Sequence, residues 1–178
     1  MKPLAIDLCC GSGGWAAGLI AEGWEVIGFD IVRQPLYPGR QVIQDVRTID
    51  GHRLYRAGLI VASPPCEEFS RHDQPWTRAR NPPPPDLSIV QACWRIAIEA
   101  TCPMILENVR GAQKFIGRSS FRLQGTHLWG KMPALMPDFE PPPQKQTKSS
   151  TARLQRARVP FELASYIARV FKPELYTK

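Results

Sequence analysis

Cys66 and Glu107 are the two side chains of this sequence best suited to act together on a substrate. Cys66 ends Ser63-Pro-Pro-Cys66, directly after the apolar run Leu59–Ala62, and opens a long stretch without periodicity. The two prolines fix the backbone before it and so aim the thiol. A thiol at the start of a loop or helix, beside Arg71, is expected to have its pKa lowered, and the thiolate is the nucleophilic form. Glu107 follows a second apolar run, Met104–Leu106, inside Leu-Glu-Asn-Val. A partly buried carboxyl there would stay protonated near neutrality and could donate a hydrogen bond or act as a general acid. Cys93 and Cys102 read instead as small inert hydrophobes.

A second group of residues suits a nucleotide-like ligand. The turn Cys10-Gly-Ser-Gly-Gly14 lets backbone approach a ligand closely and frees the N–H groups of the helix after it. Asp30 lies about 20 positions further on, at the end of the next apolar run, where an acid suits ribose hydroxyls. Asp45 could then accept from an adenine amino group. NAD would satisfy the same pattern, and the turn lacks the full G-x-G-x-x-G spacing. Taken singly, each aspartate reads equally well as a turn or helix cap.

These residues need elements to hold them. Leu4–Leu8 reads as a strand ending at the glycine turn, followed by a short helix over Trp15–Glu22 closed by Gly23. Further strands are expected at Glu25–Phe29, Gln41–Gln44, Leu59–Ala62, Met104–Leu106 and Phe121–Trp129. Residues 67–85 show neither helical nor strand period and end in four prolines, so a functional loop is expected there. Asp86 suits the N-cap of a helix over Leu87–Thr101, and Pro160–Phe171 reads as a closing amphipathic helix. Short strands alternating with helices predict an α/β fold, with a mostly parallel central sheet and helices on both faces. In such sheets ligands bind at the carboxyl ends of the strands. Asp7, Asp30, Asp45, Cys66 and Glu107 would all gather on that rim.

At 178 residues the chain is long enough to bury one core and is read as a single domain. Its opening residues turn polar too soon for a signal peptide, and no apolar run approaches a bilayer span. A cytoplasmic protein, bacterial or phage-encoded, is expected. The five cysteines include no CxxC pair, and the three histidines are scattered, so neither a disulfide framework nor a metal site is expected. The net charge of +7 is uneven. Residues 1–109 hold 10 Lys+Arg against 12 Asp+Glu, whereas residues 110–178 hold 13 against 4. That C-terminal excess would attract a polyanion if presented on one face, and otherwise serves as a solubilising surface.

Three segments in order, Asp7-Leu-Cys-Cys-Gly-Ser-Gly-Gly14, Ser63-Pro-Pro-Cys66 with Phe69-Ser70, and Glu107-Asn-Val109, resemble signature motifs of the carbon-5 cytosine-specific DNA methyltransferases. Arg158–Ala168 is similar, more weakly, to the closing motif of that family, a helix that completes the cofactor site. The resemblance implies a Rossmann-like methyltransferase fold, S-adenosyl-L-methionine as cofactor and DNA as partner. It places the cofactor on Asp7, Cys10, Gly11, Gly13, Gly14 and Trp15, on Asp30 with Ile31, on Asp45 with Val46, and on Pro64. It makes Cys66 the nucleophile on carbon 6 of cytosine and Glu107 the group at ring nitrogen 3. A base in a duplex must first be flipped out. Residues 67–85 would be the active-site loop, with Arg71, Trp76, Arg78 and Arg80 toward nucleic acid.

The sequence also departs from the family. Cys9 stands where a phenylalanine is usual, with Trp15 as a candidate replacement, and Glu67 stands where glutamine is usual. No Gln-x-Arg-x-Arg segment follows residue 110, so Arg153, Arg156 or Arg158 would have to supply the arginine on the cytosine carbonyl; Arg158 is taken as that residue. In place of a target-recognition domain there is only a short basic Pro/Lys/Arg-rich segment, 131–158. Lys145, Lys148, Arg153 and Arg156 would contact phosphate there. Without a reading module the expected specificity is short or relaxed, or it is borrowed from a separate partner. Single-stranded DNA, RNA or a free cytosine nucleotide remain alternative substrates, and a non-catalytic DNA-binding module or a subunit of a split enzyme remains an alternative role.

Overall fold

The short apolar runs form one seven-stranded sheet. Its strands are β1 (Leu4–Leu8), β2 (Glu25–Asp30), β3 (Arg40–Ile43), β4 (Ala57–Ala62), β5 (Met104–Asn108), β6 (Phe121–Leu123) and β7 (Thr126–Trp129), in the order β3-β2-β1-β4-β5-β7-β6. The computed structural model describes residues 1–78, 80–139 and 159–173, with Thr77 and Arg78 described as backbone alone. Strands β1 to β5 run parallel, and β7 lies antiparallel between β5 and β6. This is a Rossmann-like α/β fold, with the mostly parallel central sheet and helices on both faces that the sequence predicted. The order reverses between β1 and β4, which places a ligand crevice at the carboxyl ends of these strands.

Both faces of the central strands are buried, as parallel strands require. Ile6, Leu8, Ile60 and Leu106 face α4 (Ser88–Ala100), which contributes Val90, Cys93, Ile96 and Ala97. Ala5, Leu59, Val61 and Ile105 face α1 (Gly14–Ala21) and the C-terminal helix α6 (Phe161–Phe171). Gly18 permits the close crossing of these two helices, since a Cβ there would lie 2.5 Å from Ala164 Cβ. Trp24 Nε1 donates to the Ala168 carbonyl at 3.1 Å, and Arg169 pairs with Glu22 at 2.7 Å. The chain end is thereby tied to the first βα unit. Among the described residues, no helix is long and apolar enough to cross a membrane.

Several elements differ from the sequence expectation. Residues 67–85 are not one loop: α2 (Glu67–Asp73) and α3 (Pro75–Arg78) follow Cys66 directly. Only Phe69 of α2 is buried, so the helix has no apolar period to read. The expected sixth strand is a hairpin, β6–β7, turned at Gln124-Gly125, with Gln124 at φ 51°. Helix α4 starts at Ser88, and Asp86 forms a turn ahead of it by accepting from the Ser88 N–H at 2.8 Å and the Ser88 hydroxyl at 2.9 Å. Strand β5 runs on through Asn108, so Glu107 lies inside the strand.

The β2–β3 crossover carries no helix, and Tyr37 covers that face of the sheet instead. Its ring lies over Gly28, where a Cβ would come within 2.4 Å of it, and its hydroxyl donates to Asp7 Oδ2 at 3.1 Å.

Candidate active site

At the carboxyl ends of β1 to β5 the structure holds a cavity of about 430 Å³, within the usual range for a small-ligand site. Cys9 enters it from β1, Asp30 and Ile31 from β2, and Gln44 to Arg47 from β3. Ser63 to Glu67 line it after β4, Glu107 and Val109 from β5, Ile89 from α4, and Gly125 and Thr126 from the β6–β7 turn. Seven residues expected from the sequence thus meet on one surface: Asp30, Ile31, Asp45, Val46, Pro64, Cys66 and Glu107.

Asp7, Cys10, Gly11, Gly13, Gly14 and Trp15 lie behind that wall, because they build it. Gly11 N–H donates to Asp30 Oδ2 at 2.9 Å, so the glycine turn holds the acid at the rim. Gly13 takes φ 80°, and a Cβ on it would meet Pro38 Cδ at 2.5 Å. Asp7 is buried beneath Tyr37, with Oδ1 lacking a partner, and burial holds its carboxyl well above the usual range. Trp15 is buried in the core and does not take the place of the missing phenylalanine; its Nε1 donates to Ser63 Oγ at 3.1 Å. Cys9 itself lines the cavity, with a left-handed φ of 54°.

Cys66 and Glu107 are set by a shared scaffold. Asn108 Nδ2 donates to the Pro64 carbonyl at 3.0 Å, and the Ser63 N–H donates to the Leu8 carbonyl at 3.1 Å. Cys66 begins α2, and its carbonyl accepts from the Ser70 N–H at 2.9 Å. The thiol is not activated in this state, contrary to the expected lowering by Arg71. Burial raises its pKa, then Glu107 and Glu67 add to the rise, against one hydrogen bond from Ser70. Burial also pushes Glu107 up to about 7, opposed by a hydrogen bond from Ser63. That places the carboxyl where a protonated form is available near neutrality, as the sequence suggested.

The donor set fits an adenosine-bearing cofactor. Asp30 accepts one N–H at each oxygen, from Gly11 at 2.9 Å and Val32 at 3.0 Å, which leaves lone pairs for hydroxyls. Ile31 and Val46 add apolar surface to the lining. Helix α6 does not line the cavity; it acts through α1, on which it packs.

Beside this cavity, Pro64, Pro65, Glu67 and Ile89 also border a second hollow with Glu68, Phe69, Arg71 and Asp86. Arg71, Trp76 and Arg80 are exposed on or after the helices that follow Cys66. The Arg78 side chain and all of Lys145, Lys148, Arg153, Arg156 and Arg158 lie outside the described residues. Gly125 and Thr126 carry no sequence signal, since a single strand expected over 121–129 hides the turn that brings them in. Asp50, His52 and Glu99 also bring ligand atoms within 4.8 Å of one another on the surface, where Glu99 is held by Arg95 at 2.8 Å.

Fold and cavity together define a Rossmann-like α/β protein whose strand-end cavity brings Asp30 and Asp45 together with Cys66 and Glu107. No family model and no curated protein matches the chain. Among solved structures it is similar to a prophage-encoded protein of E. coli described as a DNA modification methyltransferase, at 20% identity and TM-score 0.48, over 65% of this chain and 34% of that one. It is similar to the S. pombe Dnmt2 methyltransferase at 17% identity and TM-score 0.44, over 64% of this chain and 36% of that one. It is also similar to MoeE5, solved with UDP-glucose and NAD, at 16% identity and TM-score 0.42, over 96% of this chain and 51% of that one. The chain spans about a third of the length of the two methyltransferases. At these levels neither cofactor nor substrate follows from the likeness, and both rest on the chain's own residues.

Proposed function

We propose that this protein transfers a methyl group from S-adenosyl-L-methionine to carbon 5 of cytosine in DNA, through a covalent bond between Cys66 and the base. The observation that carries this reading is that Cys66 and Glu107 line the same cavity as Asp30 and Asp45.

The cofactor supplies an electrophilic methyl group. Asp30 would hold the ribose hydroxyls and Asp45 the adenine amino group. The Cys66 thiolate adds to carbon 6 while Glu107 keeps a proton at ring nitrogen 3, so the electron pair of the carbon 5–carbon 6 bond becomes available at carbon 5. Carbon 5 would take the methyl group as its bond to sulfur breaks, releasing S-adenosylhomocysteine. Loss of the carbon-5 proton to water, with elimination of the thiolate from carbon 6, would then free Cys66. Splitting the substitution in this way replaces one difficult step by easier ones. The two side chains need opposite protonation, and a net move of the thiol proton to Glu107 provides both forms together. In the free protein the thiol is the weaker acid, so the base itself must favour that state by accepting at nitrogen 3. Arg71, Trp76 and Arg80, exposed around α2 and α3, would meet the nucleic acid, with the basic 131–158 segment adding phosphate contacts and Arg158 supplying the arginine on the cytosine carbonyl.

Radiolabelled methyl transfer to duplex DNA, single-stranded DNA, RNA and dCMP tests this, with Cys66→Ala as the control. Label on carbon 5 of cytosine in DNA, lost in Cys66→Ala, is the expected result. No label on any of the four, or label that survives Cys66→Ala, overturns the reading.

A further inference from the structure

Asp45 does not stand alone at the adenine end of the cavity. Its Oδ1 accepts the Arg47 backbone N–H at 2.9 Å, and its Oδ2 accepts Arg47 Nη2 at 2.6 Å. Arg47 Nε bridges both oxygens, at 3.1 and 3.0 Å. Three N–H groups of one residue therefore grip a carboxylate that offers about four acceptor sites. Both residues line the cavity. Arg47 is itself anchored, because its carbonyl accepts from Arg95 Nη2 at 3.3 Å, and Arg95 is in turn held by Glu99 at 2.8 Å. The acid is kept ionised by the Arg47 hydrogen bonds, which hold its pKa below the usual range.

Resting on the function proposed above, we infer that Arg47 is a positioning residue for cofactor selection: it fixes Asp45 so that one remaining acceptor site faces the 6-amino group of adenine. The consequence is chemical. An acceptor held in place rewards an amino group and rejects a 6-oxo ring, which presents an oxygen there. A carboxylate free to rotate, or to turn toward water, discriminates less. A fork of two side-chain N–H groups is needed for this grip, so lysine, a point charge, does not replace arginine.

The test is calorimetric binding of S-adenosylhomocysteine and its 6-oxo analogue, S-inosylhomocysteine, to wild type, Arg47→Ala, Arg47→Lys and Asp45→Asn. Wild type is expected to favour the adenine ligand by at least about tenfold, the scale of one charge-assisted hydrogen bond. Arg47→Ala and Arg47→Lys are expected to bring the preference within about twofold of Asp45→Asn, with the ligand-free thermal midpoint little moved because the pair is exposed. An unchanged preference in Arg47→Ala overturns the inference while leaving the proposed function standing. Tighter adenine binding in Arg47→Ala also overturns it, since Arg47 would then compete for Asp45. Failure of the wild type to bind either ligand overturns the proposed function and this inference with it.

Discussion

Asn108 Nδ2 donates to the Pro64 carbonyl across 3.0 Å, joining the strand that carries Glu107 to the turn that carries Cys66. The bond is buried, and the Asn108 Oδ1 is occupied as well, accepting the Val109 N–H at 2.9 Å. Glutamate and cysteine are therefore spaced by one side chain and not by their own contact. Asn108→Ala leaves a buried carbonyl unpaired and is expected to cost about 1–3 kcal/mol of stability, read as a lower urea midpoint. Covalent adduct formation with 5-fluorocytosine DNA should fall further than S-adenosylhomocysteine binding, because Asp30 ends β2 and Asp45 follows β3, away from this bond. Equal losses in both would show that the bond merely supports the fold.

Glu107 links stability to pH with a definite sign. Its pKa is about 7 in the folded protein, against 4.5 for an ordinary glutamate. A raised folded pKa contributes stability fully present below the unfolded value and lost as pH rises through the folded one. Stability is therefore expected to decline between about pH 4.5 and 7 by on the order of 3 kcal/mol from this residue. Asp7 acts in the same direction, whereas Asp45, Asp86 and Glu99, all with lowered pKa values, act in the opposite one. All four are unchanged in Glu107→Gln, so the difference between that variant and wild type isolates Glu107. Urea midpoints measured at half-unit steps should converge at low pH and separate toward neutrality, with the variant more stable. Parallel curves would remove the buried-acid assignment.

The Cys66 thiol is held up by burial and by the neighbouring Glu107 and Glu67 carboxylates. Alkylation by iodoacetamide, followed at the Cys66 peptide by mass spectrometry, should be slow at pH 8 and accelerate as pH rises. Glu107→Gln removes one of the charges that disfavour the thiolate, so it is expected to react several-fold faster at the same pH. Glu67→Gln should act in the same direction but less, in the order of their contributions. Slower alkylation in Glu107→Gln would mean that the carboxylate already takes the thiol proton in the substrate-free protein, and would overturn its role there as a charge that disfavours the thiolate.

What the sequence revealed and what it hid divide along physical lines. Strands β1, β2, β4 and β5 are buried on both faces, and their continuous apolar runs announce them; the acids and the cysteine that end them could be placed on one rim before any coordinates. Helix α2 buries only Phe69, so its seven residues look like a loop. The role of Cys9 was hidden by its neighbour. A left-handed φ at Cys9 turns that side chain toward the cavity and sends Cys10 toward Tyr37, and nothing in a cysteine pair signals which way the backbone turns. The effect of Arg47 on Asp45 is a contact of two residues in sequence, but it became legible only once both faced a cavity. Arg71 is close to Cys66 in sequence, but burial and then the Glu107 carboxylate govern the thiol, and neither can be read from spacing along the chain.

Tyr37 and Gly28 make the least obvious support of the site testable. The β2–β3 crossover lacks a helix, and the Tyr37 ring fills the space above Gly28, beside Cys10 and Asp7. A Cβ at position 28 would lie 2.4 Å from the tyrosine ring and 2.8 Å from Cys10 Sγ. Gly28→Ala should thus destabilise the protein by about 1–3 kcal/mol through overpacking. Tyr37→Ala should cost about 3–5 kcal/mol by removing a large side chain. In the double variant the alanine methyl enters space that the ring has vacated, so the combined loss is expected to be clearly less than the sum of the two. Chemical denaturation of all four proteins measures the coupling. Additive losses would show that Tyr37 does not press on Gly28, and that the crossover is held in place by other contacts.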